Sequence, residues 1–188
     1  MKRLPPHLLV IFFLFGCGGG GGSSPMPEQV VIDNDNNYQV ETCTDTSRIG
    51  MKKCDLKHDN IDRFYYVYIP NTLDSSKSIP VLFAFHGYGS SAIRHLNYTN
   101  YFPVADSNNF IVVYPQGATT ATLSSHWNVG GWTSKSTIKD LDFVDTMIDL
   151  LKDKIQIDES RIYSSGMSNG GYMGYHLACN LSTKFAAI

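Results

Sequence analysis

The sequence is poor in charge. Its 188 residues hold 15 Lys and Arg against 17 Asp and Glu, so the formal net charge is -2 and charged residues make up 17%. Globular proteins average about a quarter. Because nucleic-acid binding draws on a surplus of Lys and Arg gathered on one face, the sequence excludes nucleic acid as a partner.

Cysteine is scarce too. There are four, and none lies in a C-x-x-C pair or within a Cys/His cluster. Metal sites built on cysteine use such spacings, so no metal site is predicted. Cys43 and Cys54 lie in a short segment rich in polar and turn residues, which predicts that they close a disulfide in an oxidising compartment. The sequence indicates no partner for Cys179.

Apolar runs long enough to span a bilayer are missing. Leu8 to Phe15 is too short for that, follows Lys2 and Arg3, and is followed by a glycine and Cys17. Residues 1–16 resemble a bacterial lipoprotein signal, after which Cys17 is lipidated and begins the mature protein. An ordinary secretory signal is the alternative. Both predict export, with the lipid anchor as the protein's only link to a membrane.

The next stretch, residues 17–41, is predicted to be a flexible tether. Its first half is mostly Gly, Ser and Pro, the composition of a flexible tether. Residues 33–37 read Asp-Asn-Asp-Asn-Asn, but they lack the glycine and glutamate of an EF-hand loop, so a solvated linker is predicted rather than a calcium site. One folded domain is expected over residues 42–188.

Within this domain the pattern is typical of the α/β class. Residues 63–69, 79–85 and 110–114 are apolar or β-branched runs of strand length, and the second suits a parallel strand buried on both faces. Asp140 is placed to cap a helix. The core-facing stripe of this helix comprises Leu141, Val144, Ile148, Leu151 and Ile155. The alternation predicts a mostly parallel sheet flanked by helices.

Near the end of the chain, residues 166–170 read Gly-Met-Ser-Asn-Gly and fit the pattern G-x-S-x-G. In α/β-hydrolases this pattern is a sharp turn from strand to helix that exposes a nucleophilic serine, here Ser168. The flanks agree, because residues 161–165 have β character and residues 171–180 suit a helix. The glycines leave room for a strained turn and a closely packed helix. The alternative is a Gly/Ser loop that merely joins the two elements.

A second glycine-bearing loop, residues 86–91, follows the apolar strand. Acyl transfer needs backbone N–H groups aimed at the oxyanion of the tetrahedral intermediate, one from the residue after the nucleophile and one from a loop of this kind. Tyr88 and Asn169 are the predicted donors, with a plain turn as the alternative for the loop. His86 is predicted to brace the loop rather than act as a base.

A long loop, residues 116–138, contains both tryptophans of the chain, Trp127 and Trp132. Loops of this length inside a compact domain are usually functional. The two indoles are candidates for an aromatic platform that binds a ring or a sugar, and packing under the loop is an equally good interpretation for either one.

These segments resemble the polyhydroxybutyrate-depolymerase-like esterases, which include feruloyl and acetylxylan esterases of bacteria and fungi. The resemblance implies an α/β-hydrolase fold and a Ser-His-Asp triad that cleaves carboxylic esters without a cofactor. It makes Ser168 the nucleophile and the backbones of Tyr88 and Asn169 the oxyanion donors, and it places Trp127 close to the substrate cleft. Trp132 departs from the family, since many relatives have a cysteine there.

The acid and the histidine of the triad follow the nucleophile in this fold. The only histidine after Ser168 is His176, about 12 Å along the next helix and pointing away. We therefore expect these residues to be the N-terminal portion of a longer esterase, inactive alone, with both partners beyond Ile188. Expected substrates are acyl or feruloyl esters of polysaccharide, or polyester. The rival predictions are a serine peptidase of the same fold and a non-catalytic cell-surface binding lipoprotein.

Overall fold

A seven-stranded sheet forms the centre of the protein. The computed structural model describes residues 29–32 and 38–188. The strands are β1 Gln29–Ile32, β2 Tyr38–Asp45, β3 Met51–His58, β4 Ile61–Tyr68, β5 Ile79–Phe85, β6 Ile111–Pro115 and β7 Ile157–Gly166. The helices are α1 Ala92–Thr99, α2 Phe102–Asn108, α3 Asp140–Lys152 and α4 Asn169–Asn180, with a short 3-10 turn at Gly131–Thr133.

The sheet changes character from one edge to the other. Its strand order is β1-β2-β3-β4-β6-β5-β7. Strands β1 to β4 form an antiparallel meander that joins β6, whereas β6, β5 and β7 are parallel. After β5 the chain first adds a strand on one side and then crosses to the other. Open α/β sheets place their sites at such a switch point, outside the carboxyl ends of the parallel strands.

Strand β5 is covered on both faces, as its continuous apolar run predicts. Val81, Phe83 and Phe85 join a core cluster with α3 and α4. Ala84 joins a second cluster that includes α1 and α2. All four side chains are fully buried, and burying a phenylalanine alone stabilises the fold by about 1.5–3 kcal/mol. The fold therefore has helices on both faces of its parallel strands.

The prediction that Asp140 caps α3 is wrong in its detail. Lys139 is the N-cap residue, and Asp140 is the first helical residue, 1% exposed. Its carboxylate accepts hydrogen bonds from Arg63 Nη2 at 2.8 Å and from the backbone N of Asn128 at 2.7 Å. Asp140 thus pairs with Arg63 of β4 instead of capping the helix, and this partner lies 77 residues earlier in the chain.

The buried face of α3 is wider than the predicted stripe. Val144, Ile148 and Leu151 are buried as expected, while Leu141 and Ile155 are partly buried against the same core. The helix also buries three residues outside the stripe, Phe143, Met147 and Leu150.

The predicted tether overlaps two strands. Residues 17–41 include all of β1 and the start of β2, which pair with each other, and β2 also pairs with β3. Pairing with a neighbouring strand satisfies the backbone N–H and C=O groups of these residues, although their composition did not predict a strand. The predicted disulfide is confirmed, since Cys43 and Cys54 are opposite each other on β2 and β3 and are bonded.

The predicted signal at residues 1–16 and the lipidation site Cys17 lie outside the described residues. Within the described part of the chain, no helix has both the length and the apolar character needed to cross a membrane.

Candidate active site

The serine turn has the predicted form. Ser168 lies between the end of β7 and the start of α4 with φ 54° and ψ -120°. Non-glycine residues rarely adopt positive φ, because the Cβ atom then crowds the backbone, and such strain clusters at functional sites. The side chain of Ser168 is exposed. The turn thus places Ser168 at the carboxyl edge of the parallel strands.

Two glycines make the turn possible. A Cβ atom added at Gly166 would lie 2.3 Å from the carbonyl oxygen of Gly170. One added at Gly170 would lie 2.1 Å from the carbonyl oxygen of Phe85, at the end of β5. Neither gap admits a carbon atom. The missing side chain at Gly166 therefore allows α4 to approach the end of β7, and the missing side chain at Gly170 allows α4 to approach the end of β5.

The second glycine-bearing loop passes beside the serine. A Cβ atom added at Gly87 would lie 3.6 Å from the Cβ atom of Ser168. Tyr88 follows Gly87 directly. Asn169 is the first residue of α4, where backbone N–H groups have no partner within the helix. The structure therefore brings the loop of Tyr88 and the backbone of Asn169 to the same serine.

His86 braces this loop. The ring is fully buried, and Nε2 accepts a hydrogen bond from the backbone N of Gly117 at 2.9 Å. Nδ1 lies 2.8 Å from the carbonyl oxygen of Gly87. Since Gly117 supplies a donor to Nε2, the proton of the neutral ring belongs on Nδ1, which donates to Gly87. Burial lowers the pKa of His86, so the neutral form is favoured.

Trp127 is buried, which contradicts its predicted place in an aromatic platform. The side chain has no exposed area, packs edge to face on Phe85 with ring centroids 5.1 Å apart, and donates from Nε1 to the carbonyl oxygen of His86 at 2.9 Å. An indole N–H needs a partner when buried, and the loop at residues 86–91 supplies it. Packing under the loop, the alternative interpretation, describes this residue.

Trp132 lies at the surface. It is 53% exposed, and its ring meets that of Tyr88, itself 43% exposed, at 5.2 Å between centroids and an angle of 74°. The hydroxyl of Tyr88 accepts a hydrogen bond from the backbone N of Ser124 at 3.2 Å. The two rings form an exposed aromatic pair, Tyr88 and Trp132, on the loops beside the serine.

The side chain of Asn169 is a feature that the sequence did not predict. It is fully buried, and its Oδ1 accepts from the backbone N of Trp127 at 2.7 Å while its Nδ2 donates to the carbonyl oxygen of Trp127 at 3.1 Å. Asn169 stands at a variable position of G-x-S-x-G, so the motif gave no signal for this contact.

The foot of the long loop is anchored by polar groups that sequence reasoning also missed. Arg63 donates to the carbonyl oxygen of Gln116 at 3.1 Å and pairs with Asp140, so it joins the loop's two ends. Inside the loop, His126 Nε2 lies 2.8 Å from the hydroxyl oxygen of Ser136, and both residues are buried. The partners of Arg63 lie 53 and 77 residues away, and the spacing of His126 and Ser136 fits no motif, so no local pattern marks these contacts.

His176 is not placed to serve Ser168. It lies two turns along α4, and its Nδ1 is 3.2 Å from the side-chain nitrogen of Asn180. Among residues 38–188 no histidine is hydrogen-bonded to the Ser168 hydroxyl.

Known proteins resemble this chain in sequence and in fold. The model of the prolyl oligopeptidase family matches residues 96–188. The bifunctional acetylxylan esterase/xylanase of Neocallimastix patriciarum is 34% identical over 125 residues, 66% of this chain and 17% of that protein. Feruloyl esterase B of Thermothelomyces thermophilus is 32% identical over 124 residues, 65% of this chain and 41% of that protein.

A solved structure shares the fold. The acetyl xylan esterase from Aspergillus awamori superposes with a TM-score of 0.53 at 22% identity, covering 66% of this chain and 45% of its own. The chain therefore spans less than half the length of these relatives.

The parallel strands, the serine turn and the structural similarity show that the chain has the α/β-hydrolase fold. In sequence it is similar to feruloyl and acetylxylan esterases, in agreement with the resemblance seen in its motifs.

Proposed function

We propose that this chain carries the nucleophile and the oxyanion hole of a serine carboxylic-ester hydrolase. The observation that supports it most is the strained, exposed Ser168 beside the Gly87 loop. The elbow also argues against a non-catalytic binding lipoprotein, because such a module has no use for a strained turn at a serine.

The reaction proceeds through an acyl-enzyme. The Ser168 hydroxyl attacks the ester carbonyl, a histidine base takes its proton, and the carbonyl oxygen becomes an oxyanion that accepts hydrogen bonds from the backbones of Tyr88 and Asn169. The alcohol leaves with that proton, and water then releases the acid and frees Ser168. Chain order in this fold puts the acid and the histidine after the nucleophile. Since His176 is ruled out by its position, we place both beyond Ile188.

The exposed aromatic pair, Tyr88 and Trp132, is the proposed substrate platform. Aromatic faces bind planar rings and the apolar faces of sugars. Together with relatives that are named acetylxylan and feruloyl esterases, the pair favours acyl or feruloyl esters of a polysaccharide, with polyester as a further substrate class. Trp132→Ala is expected to raise KM for feruloyl and sugar esters more than for a short acetyl ester.

A serine peptidase of the same fold is the second candidate, because the prolyl oligopeptidase family model matches residues 96–188. Peptidases and esterases share the nucleophile and the oxyanion hole, so the two candidates differ in the leaving group that they accept.

Kinetics of the full-length protein distinguish the candidates. The esterase proposal expects steady turnover of acetyl and feruloyl esters, no turnover of proline-containing peptides, and loss of ester turnover by about 10³-fold or more in Ser168→Ala. Peptide cleavage without ester cleavage would favour the peptidase. Unchanged ester turnover in Ser168→Ala would exclude this serine as the nucleophile.

Export through the segment at residues 1–16, with a lipid on Cys17, is proposed on the sequence alone. Cys17→Ser is expected to move the protein from the membrane fraction to the soluble fraction of the producing cells. An unchanged distribution would exclude the anchor.

A further inference from the structure

We propose that Trp127 is a positioning residue that fixes the distance between the two halves of the oxyanion hole. The inference rests on the proposed function. It gives the buried indole a role that the platform prediction did not contain.

The first link joins Trp127 to the elbow. The Asn169 side chain makes two hydrogen bonds to the Trp127 backbone, at 2.7 and 3.1 Å. The backbone N–H of the same Asn169 is the proposed donor after the nucleophile. Because one residue carries both groups, a shift of the Trp127 backbone shifts that donor.

The second link joins Trp127 to the other donor. Its indole N–H donates to the carbonyl oxygen of His86 at 2.9 Å, two residues before Tyr88, whose backbone is the other proposed donor. The peptide plane that follows His86 is thus held by the indole. Backbone and side chain of one tryptophan therefore connect the two donors.

A third link closes the circuit. The His86 ring accepts from the backbone N of Gly117, and Gly117 lies at the start of the loop that carries Trp127. His86, Trp127 and Asn169 have no exposed area. Hydrogen bonds in so dry a network are strong, and an unpaired member is costly. The hydrogen-bonded network of His86, Trp127 and Asn169 is therefore rigid, as an oxyanion hole that is formed before substrate binding requires.

The test, on the full-length protein, cuts the two links of the Trp127 strut separately: one hydrogen bond to His86 and two to the side chain of Asn169. Replacing Trp127 with 3-benzothienylalanine puts sulfur where the N–H was and keeps the shape of the ring. Asn169→Ala cuts the other link but retains the backbone N–H that serves as the donor. Each variant is expected to lower kcat on an acetyl ester about 10- to 100-fold with KM within about twofold, because misplacement by a fraction of an ångström weakens contacts made only in the transition state.

Two further readouts separate positioning from general damage. Affinity for a trifluoromethyl ketone, whose adduct places an oxyanion in the hole, is expected to fall by the same factor as kcat. The double variant is expected to be no slower than about the worse single variant, since both cut one strut. As a control, Phe83→Leu loosens the same core and is expected to lower the Tm while leaving kcat unchanged.

The outcomes divide cleanly. Wild-type kcat in the folded benzothienylalanine variant would overturn the inference, as would independent effects that multiply in the double variant, or a rise in KM alone. Ser168→Ala is assayed alongside. If Ser168→Ala kept its turnover, the proposed function would fail; if Ser168→Ala were inactive and the strut variants normal, only the strut would fail.

Discussion

The serine elbow and the β2–β3 hairpin are held in place by opposite means. At the elbow, backbone meets backbone, and the gaps at Gly166 and Gly170 are too small for any side chain. In the hairpin, side chains do the joining, with Cys43 and Cys54 covalently bonded. The glycines that allow the close approach at the elbow are visible as a motif in the sequence, and so are the two cysteines of the hairpin. The hairpin's contacts with residues distant in sequence leave no such motif.

Buried polar contacts also hold the β2–β3 hairpin in place. Glu41 is 2% exposed, accepts a hydrogen bond from the hydroxyl of Tyr65 and forms an ion pair with Lys154. Burial raises the pKa of the Tyr65 hydroxyl, so this group remains a donor at neutral pH. Three segments of the chain therefore meet at one carboxylate.

The largest effect is expected from a single methyl group at the elbow. Gly170→Ala puts a Cβ 2.1 Å from the Phe85 carbonyl oxygen, so α4 must move away from β5. We expect a loss of about 4 kcal/mol or more in the free energy of unfolding, or no folded protein, as measured by urea denaturation.

The neighbouring glycine provides the matched control. Gly171→Ala meets only an ordinary contact, 3.4 Å from the carbonyl oxygen of Gly166. Alanine favours a helix over glycine by up to about 1 kcal/mol, so this variant is expected to be neutral or slightly stabilised. Equal damage from both alanines would refute the close-approach account.

The second largest effect is expected when the buried carboxylate of Asp140 is removed. Asp140→Ala leaves the Arg63 guanidinium, 2% exposed at its side chain, buried without its carboxylate. Breaking such a pair on one side is expected to cost about 3–5 kcal/mol. The surface pair of Lys57 and Asp62, 64% and 95% exposed, is the comparison: Asp62→Ala is expected to change stability by less than about 1 kcal/mol. Similar losses in both variants would contradict the account.

The disulfide tests the hairpin itself. Its cysteines are 11 residues apart, so replacing both with serine is expected to cost about 2–3 kcal/mol through the freed unfolded chain. Because the hairpin is held independently of the elbow, kcat of the full-length protein should not change. Cys179→Ser, at a free and exposed thiol, is expected to change neither quantity. A large fall in kcat without the disulfide would show that the two regions are coupled.

The smallest effect concerns pH. Burial, and secondarily the neighbouring His86, lowers the pKa of His95 to about 4, whereas an unfolded chain has about 6.5. Between pH 6.5 and 4 the imidazole of His95 is protonated in the unfolded chain but stays neutral in the folded protein. The free energy of unfolding therefore falls as the pH drops from 6.5 towards 4. His95→Gln is expected to lose less Tm than the wild type between pH 7 and 5. An equal loss in both proteins would assign the acid sensitivity elsewhere.

The difference between local patterns and contacts of distant residues also explains which features could be predicted from the sequence. Strand β5, the elbow and the bracing role of His86 follow from local patterns, since apolar runs and glycine spacing record them directly. Trp127 packs on Phe85 and is hydrogen-bonded to Asn169, 42 residues later. The position of Asp140 depends on Arg63, 77 residues earlier. Strands β1 and β2 pair with each other and with β3 although they adjoin stretches with the composition of a linker. Contacts of this range have no local signature.

The most direct test of the central claim is chemical labelling of the full-length protein with a fluorophosphonate, followed by peptide mapping. The account predicts one labelled residue, Ser168, and no label in Ser168→Ala. A folded protein that takes up no label, or takes it up at another residue, would contradict it.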